Sequence, residues 1–200
     1  MIISIYCSGS IQKGTTDNAK LCWSDYDKDI LSSALAPITV RFLNPDDPLV
    51  CPNDTTALFG RDLYQVQIAD FVVVDARERR GIGIGIEMLA SRMLGTPLVV
   101  VAPENTHYRK DQLTYRGTTV TNYIHPHLEI LADAIVESFK AAGHWIKEYL
   151  ESPIRVKNGD VLNEAIEAYR VNLLPKDNPM LRVHREIEKL RNGRTPAVTL

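Results

Sequence analysis

What this sequence has little of is the first guide to it. Three cysteines, Cys7, Cys22 and Cys51, stand among 200 residues and form no CxxC pair. An odd, scattered set argues against a disulfide framework and for reduced thiols in a cytoplasmic protein. No apolar run approaches the roughly 20 residues that a membrane helix needs. The opening Met-Ile-Ile-Ser-Ile-Tyr-Cys lacks the basic start of a signal peptide and reads as a strand. Neither sign of charge dominates: 23 Lys and Arg face 25 Asp and Glu, for a net charge of −2. That balance gives no electrostatic case for a nucleic-acid polymer or a membrane surface as partner. Internal repeats and low-complexity stretches are missing. So are the GxxxxGK[ST] phosphate loop, the GxGxxG dinucleotide turn and the GxSxG nucleophile elbow.

What remains is an ordinary globular composition, 44% hydrophobic and 24% charged, in a chain long enough to bury a sizeable core. Ile2–Cys7 reads as a strand running into Ser-Gly-Ser. Trp23, Ile30, Leu31 and Leu35 recur at helical spacing before Pro37. Ile38–Leu43 is a second strand. Ala57–Ala69 is a helix with Leu58, Leu63, Val66 and Ile68 mostly inward. Phe71–Val74 is a third strand, followed by a charged loop, a glycine-rich helix over 83–94 and a strand over 97–101. Continuous apolar strands alternating with helices predict a parallel sheet covered on both faces. Residues 104–126 read as a long polar loop with a short strand at Thr118–Ile124, and Leu128–Leu150 as one long helix. The tail differs: over 151–200 nine Lys and Arg meet seven Asp and Glu, with helices at 160–172 and 179–190. The expected domains are therefore 1–150 and a helical C-terminal extension, 151–200.

The most informative stretch is Gly81-Ile-Gly-Ile-Gly-Ile-Glu87. It sets one carboxylate in the first turn of an apolar helix, behind Gly81, Gly83 and Gly85. Free N–H groups and the helix dipole there would keep Glu87 ionised. A parallel sheet opens its crevice beyond the carboxyl ends of its strands. Asp62, near the start of the preceding helix, is expected on the same rim as Glu87. The loop Ser8-Gly9-Ser10-Ile-Gln12-Lys13-Gly14 offers hydroxyls, backbone and a lysine to an oxyanion. His125 and His127 flank Pro126 without a third ligand at useful spacing, so no metal is expected. Arg77, Arg79 and Arg80 read as a solvated charged loop.

Taken in order, these pieces resemble a known family. Tyr6…Gly9-Ser10-Ile11, Arg61-Asp62-Leu63, Ile68-Ala69-Asp70-Phe-Val-Val-Val, the glycine stretch to Glu87, and Leu94-Gly95-Thr-Pro97 are similar to the nucleoside 2-deoxyribosyltransferase superfamily. The likeness is nearest to its 2′-deoxynucleoside 5′-phosphate N-hydrolase branch and related nucleotide N-glycosidases. It covers residues 1–102, weakens towards 150 and is absent from the tail. The resemblance implies a flavodoxin-like (Rossmann-like) three-layer sandwich that needs no cofactor. It also implies cleavage of an N-glycosidic bond in a small-molecule nucleoside or nucleotide. It puts the catalytic glutamate at Glu87 and the aspartate beside the base at Asp62. The sugar-side tyrosine falls on Tyr6 and the 5′-phosphate loop on Gly9 and Ser10, with Ser8 and Lys13 beside them. The hydrolase branch carries an arginine where Gln12 stands and a serine where Gly81 stands.

Two carboxyl groups suit this chemistry, because one can meet C1′ while the other protonates the leaving base. The expected activity is hydrolysis of a (deoxy)nucleoside 5′-monophosphate. Base exchange by a deoxyribosyltransferase is the alternative, and a nucleotide-sensing module without turnover is the reading from another class. A homodimer or higher homo-oligomer is expected, because Val161, Leu162, Ile166, Tyr169 and Leu173 of the tail need burial.

Overall fold

The computed structural model describes residues 1–12, 20–48 and 51–192. Its first strand, β1 (Ile2–Ser8), leads to helix α1 (Asp25–Leu35), β2 (Thr39–Leu43) and α2 (Thr55–Ile68). Then come β3 (Phe71–Asp75), α3 (Ile82–Leu94) and β4 (Leu98–Val101). A hairpin of β5 (Arg109–Tyr115) and β6 (Thr118–Ile124) precedes α4 (Pro126–Leu131), β7 (Ala134–Val136) and α5 (Phe139–Glu151). These elements belong to one compact unit, Met1–Gly159; a second begins at Asp160 and holds α6 (Asp160–Asn172) and α7 (Asn178–Asn192).

The central sheet has the order β2-β1-β3-β4-β7, parallel at every pairing. Counted along the sheet, this is the flavodoxin-like 2-1-3-4-5 arrangement, whose switch point lies between β1 and β3. Strand alternation then sorts the side chains. Ile3, Ile5 and Cys7 join Phe71, Val73, Val99 and Val101 in a core closed by Leu31 and Leu35 of α1 and Phe139, Ala142 and Ile146 of α5. Tyr6 and Ser8, one residue out of phase, are equally buried on the opposite face, where α2 and α3 lie. The helices start and stop where the sequence provides caps. Ser24 and Asp27 form a reciprocal capping box at α1. Asp54 accepts two N–H groups at α2. Gly95, at φ 73°, ends α3 in the left-handed conformation. At the α1–α5 crossing, a Cβ on Gly143 would stand 2.6 Å from the Ala34 Cβ, so only glycine permits that approach.

Three expectations change. The 128–150 pattern is not one helix: it is broken by β7, which completes the open edge of β4. The polar stretch after residue 104 is a hairpin, turned by Arg116 (φ 49°) and Gly117 (φ 81°) as a two-residue primed turn. In α2 only Val66 of the four apolar residues is fully buried, while Leu58 and Ile68 are exposed. Among the described residues no helix is long and apolar enough to cross a membrane.

Candidate active site

Beyond the carboxyl ends of β1 and β3 lies a cavity of about 350 Å³. Gly9, Ser10 and Ile11 line it after β1, and Glu78, Arg79, Gly81, Ile82, Gly83 and Ile84 after β3. Pro45 and Lys20 close two sides, Asp62 comes from α2, and Glu87 comes from α3. A larger groove of about 640 Å³ runs over the outside of α1 and α5. Its carboxylate, Asp29, is solvent-exposed. The smaller cavity is the one at the switch point, and the one with a carboxylate withdrawn from water.

That carboxylate is Glu87, 8% exposed. It is not in the first turn. Gly81 is the N-cap and Ile82 the first helical residue, so Glu87 stands in the second turn, where the dipole contributes less. Its oxygens are held by side chains instead. The Tyr6 hydroxyl donates to Oε1 at 3.0 Å and the Ser8 hydroxyl to Oε2 at 2.5 Å. Burial raises the Glu87 pKa above the ordinary carboxylate value, the two hydroxyl donors oppose that rise, and the charge of Asp62 adds to it. Burial, together with the negative field of Glu87 and Asp62, likewise drives the Tyr6 hydroxyl far up, so it stays a donor. Glu87 is therefore a carboxylate solvated by two hydroxyls and open on its remaining side to the cavity.

Glu87 and Asp62 both line this one chamber. Gly9, Ser10, Gly81 and Gly83 line it too. Tyr6 and Ser8 stand elsewhere than expected: both are fully buried and give their hydroxyls to Glu87, behind the cavity rather than in its wall. Gly85 does not line the cavity, and a Cβ there would meet nothing within 4 Å. Gly83 is placed differently, since its Cβ would lie 3.8 Å from Glu87 Oε1 and begin to roof the carboxylate. Gly9 must be small, because its Cβ would fall 2.8 Å from the Trp23 ring, whose Nε1 donates to the Ser8 carbonyl at 3.0 Å. Lys13 and Gly14 lie outside the described residues.

The arginine cluster is the largest departure from the sequence reading. The Arg80 side chain is buried and Arg77 is half-buried in an ion-pair frame, while Arg79 is exposed and lines the cavity. Asp75, at the end of β3 and wholly out of water, accepts from Arg77 Nε at 2.9 Å and pairs with Arg80 at 2.6 Å. Arg77 forks onward to both Asp27 oxygens at 2.9 and 3.0 Å. Burial pushes the Asp27 pKa up, but bonds from the Ser24 backbone and Arg77 outweigh it and hold the carboxyl below its usual value. Arg80 also donates to the Ser10 hydroxyl at 2.8 Å and to the Leu21 carbonyl at 2.6 Å. The Arg80 backbone N–H reaches the Tyr108 hydroxyl at 2.8 Å. This frame fixes the two loops that wall the cavity. Because Ser10 accepts from Arg80, its own proton is left to donate elsewhere. Glu78 and Lys20 were not singled out by the sequence reading, yet they line the chamber together with Arg79. Their loop positions carry no periodic signal that could have marked them.

His125 caps α4 and contacts the rings of Tyr108 and His127. Among the described residues no three His, Cys, Asp or Glu gather as metal ligands.

No family model matches the chain, and no curated protein matches it. Among solved structures, a 2-desoxiribosyltransferase from Leishmania mexicana is similar, at 15% identity and a TM-score of 0.49. The alignment covers 76% of this chain and 99% of that one. The α/β architecture and its switch-point cavity rest on the strand order and the lining residues described above.

Proposed function

We propose that this chain is an N-glycosidase that hydrolyses the base–sugar bond of a (deoxy)nucleoside 5′-monophosphate, with Glu87 as nucleophile. The observation that supports it is Glu87 itself: a carboxylate at the switch-point cavity, withdrawn from water and held by two hydroxyls. The motif resemblance at Gly9-Ser10, Asp62 and Glu87 supports the same chemistry.

In this reading Glu87 attacks C1′ as the C1′–N bond breaks, and the bonding pair leaves with the base. Asp62 gives the base its proton. The resulting glycosyl ester is opened by water, which Asp62 deprotonates, releasing sugar phosphate and free Glu87. The Tyr6 and Ser8 hydroxyls keep Glu87 ionised against burial and hold both oxygens in place. The 5′-phosphate rests on the Gly9–Ser10 backbone, the Ser10 hydroxyl and the positive charges of Arg79 and Lys20. These stand in for the arginine and serine that Gln12 and Gly81 lack.

Incubation with a panel of nucleosides and their 5′-monophosphates, with chromatographic detection of free base, tests this. The expected result is base release from the monophosphates, abolished in Glu87→Ala. Equal kcat/KM for a nucleoside and its monophosphate would remove the phosphate assignment. Appearance of a new nucleoside on adding a second base would convert the hydrolase into a deoxyribosyltransferase. No base release from any substrate would leave the nucleotide-sensing reading.

A further inference from the structure

The second unit has helices without a core. No side chain of α6 is buried, and none of the described side chains of α7 is either. Both helices nonetheless carry an apolar seam. Leu162, Ile166 and Tyr169 of α6, with Leu173 just past its end, recur at spacings of four, three and four. Met180, Val183, Ile187 and Leu190 recur at three, four and three. That alternation is the heptad pattern of helices that pack along one another. Leu162, Ile166, Leu173 and all four α7 residues are between 39% and 68% exposed. Isolated helices of 13 and 15 residues are marginal in water without such packing.

The charges point to the occupant. α6 carries Asp160, Glu164 and Glu167 against Arg170. α7 carries Arg182, Arg185, Lys189 and Arg191 against Glu186 and Glu188. One helix is net acidic and the other net basic, so a second α6–α7 pair meets the first with opposite charges when α6 faces α7 across the contact. This is the self-complementary arrangement that a twofold interface requires. We infer that α6 and α7 are a dimerisation module, in which the two seams of one chain pack on those of a second copy as a four-helix bundle.

Analytical ultracentrifugation of the full chain at micromolar concentration tests this. Wild type should sediment at twice 22.5 kDa. Ile166→Glu with Ile187→Glu, both at exposed positions, should give the 22.5 kDa species with an unchanged circular dichroism signal from the first unit. Reversing charge on α6 (Glu164→Lys with Glu167→Lys) should weaken the dimer at least tenfold, and adding Arg182→Glu with Arg185→Glu on α7 should recover it. A monomeric wild type would overturn the inference. So would a dimer insensitive to the Ile166 and Ile187 changes but dissociated by Phe59→Ser with Met93→Ser, which would place the contact on the exposed α2–α3 face. Failure of the combined charge reversal to recover the dimer would refute the pairing of α6 with α7.

Discussion

Asp75 and Glu87 are two carboxylates at the same end of the same sheet, both withdrawn from water and solvated in opposite ways. Asp75 receives two guanidinium groups and is one node of the Asp27–Arg77–Asp75–Arg80 frame. Every charge there meets an opposite charge, and the group has no capacity left for a ligand. Glu87 receives only two neutral hydroxyls. Its charge is stabilised but not cancelled, and its open side faces the cavity. Burial is therefore a poor guide to role by itself. A buried carboxylate neutralised by arginine is committed to the fold, because removing it strands a buried cation. A buried carboxylate held by hydroxyls keeps its negative charge available for chemistry.

The sharpest way to break this comparison is to delete each carboxylate. Glu87→Ala should fold normally and lose at least about three orders of magnitude in the rate of base release. A folded variant that still turns over near the wild-type rate would end the nucleophile assignment. Asp75→Ala should do the reverse and lose about 3–5 kcal/mol of stability, because Arg80 stays buried without its carboxylate partner. Urea denaturation measures it; a loss within the error of the method would show that the frame does not hold the fold.

The hydroxyl pair makes a finer test. Ser8→Ala removes one donor to Glu87, so the acid limb of the kcat/KM profile should move upward by about one to two pH units. That is the equivalent of a charge-assisted bond worth about 1.5–3 kcal/mol. Tyr6→Phe should move it in the same direction. An unmoved acid limb in both variants would mean that these hydroxyls do not tune Glu87.

The smallest effect concerns stability. The folded-state pKa of Glu87 lies above its ordinary value. Between those two values the folded protein binds more proton than the unfolded chain, so this group's contribution falls as pH rises through the folded pKa. Glu87→Gln should therefore be more stable than wild type above neutral pH, and the gain should vanish in acid. Equal melting temperatures across that range would contradict the raised pKa.

Much of this is legible in the sequence. The apolar strands and the helix bearing Glu87 follow from periodicity and end signals that act over a few residues. Three features escaped the sequence for one reason. Ala134–Val136 is apolar enough for either a strand or a helix, and the unpaired edge of β4 decided it. Arg77 and Arg80 are charged side chains in a loop, and only the convergence of Asp27, 50 residues upstream of Arg77, turns them into a frame. The Tyr6 hydroxyl donates to a glutamate 81 residues away, a pairing no local pattern announces.

The sequence by itself determined the alternation of strands and helices, the parallel sheet and the position of one carboxylate beside a glycine-rich turn. These are set by side-chain periodicity and backbone preference, which are local. Only the tertiary structure decided which carboxylate is neutralised and which is left charged. That depends on desolvation and on donors brought from distant parts of the chain, and neither quantity exists until the sheet has assembled.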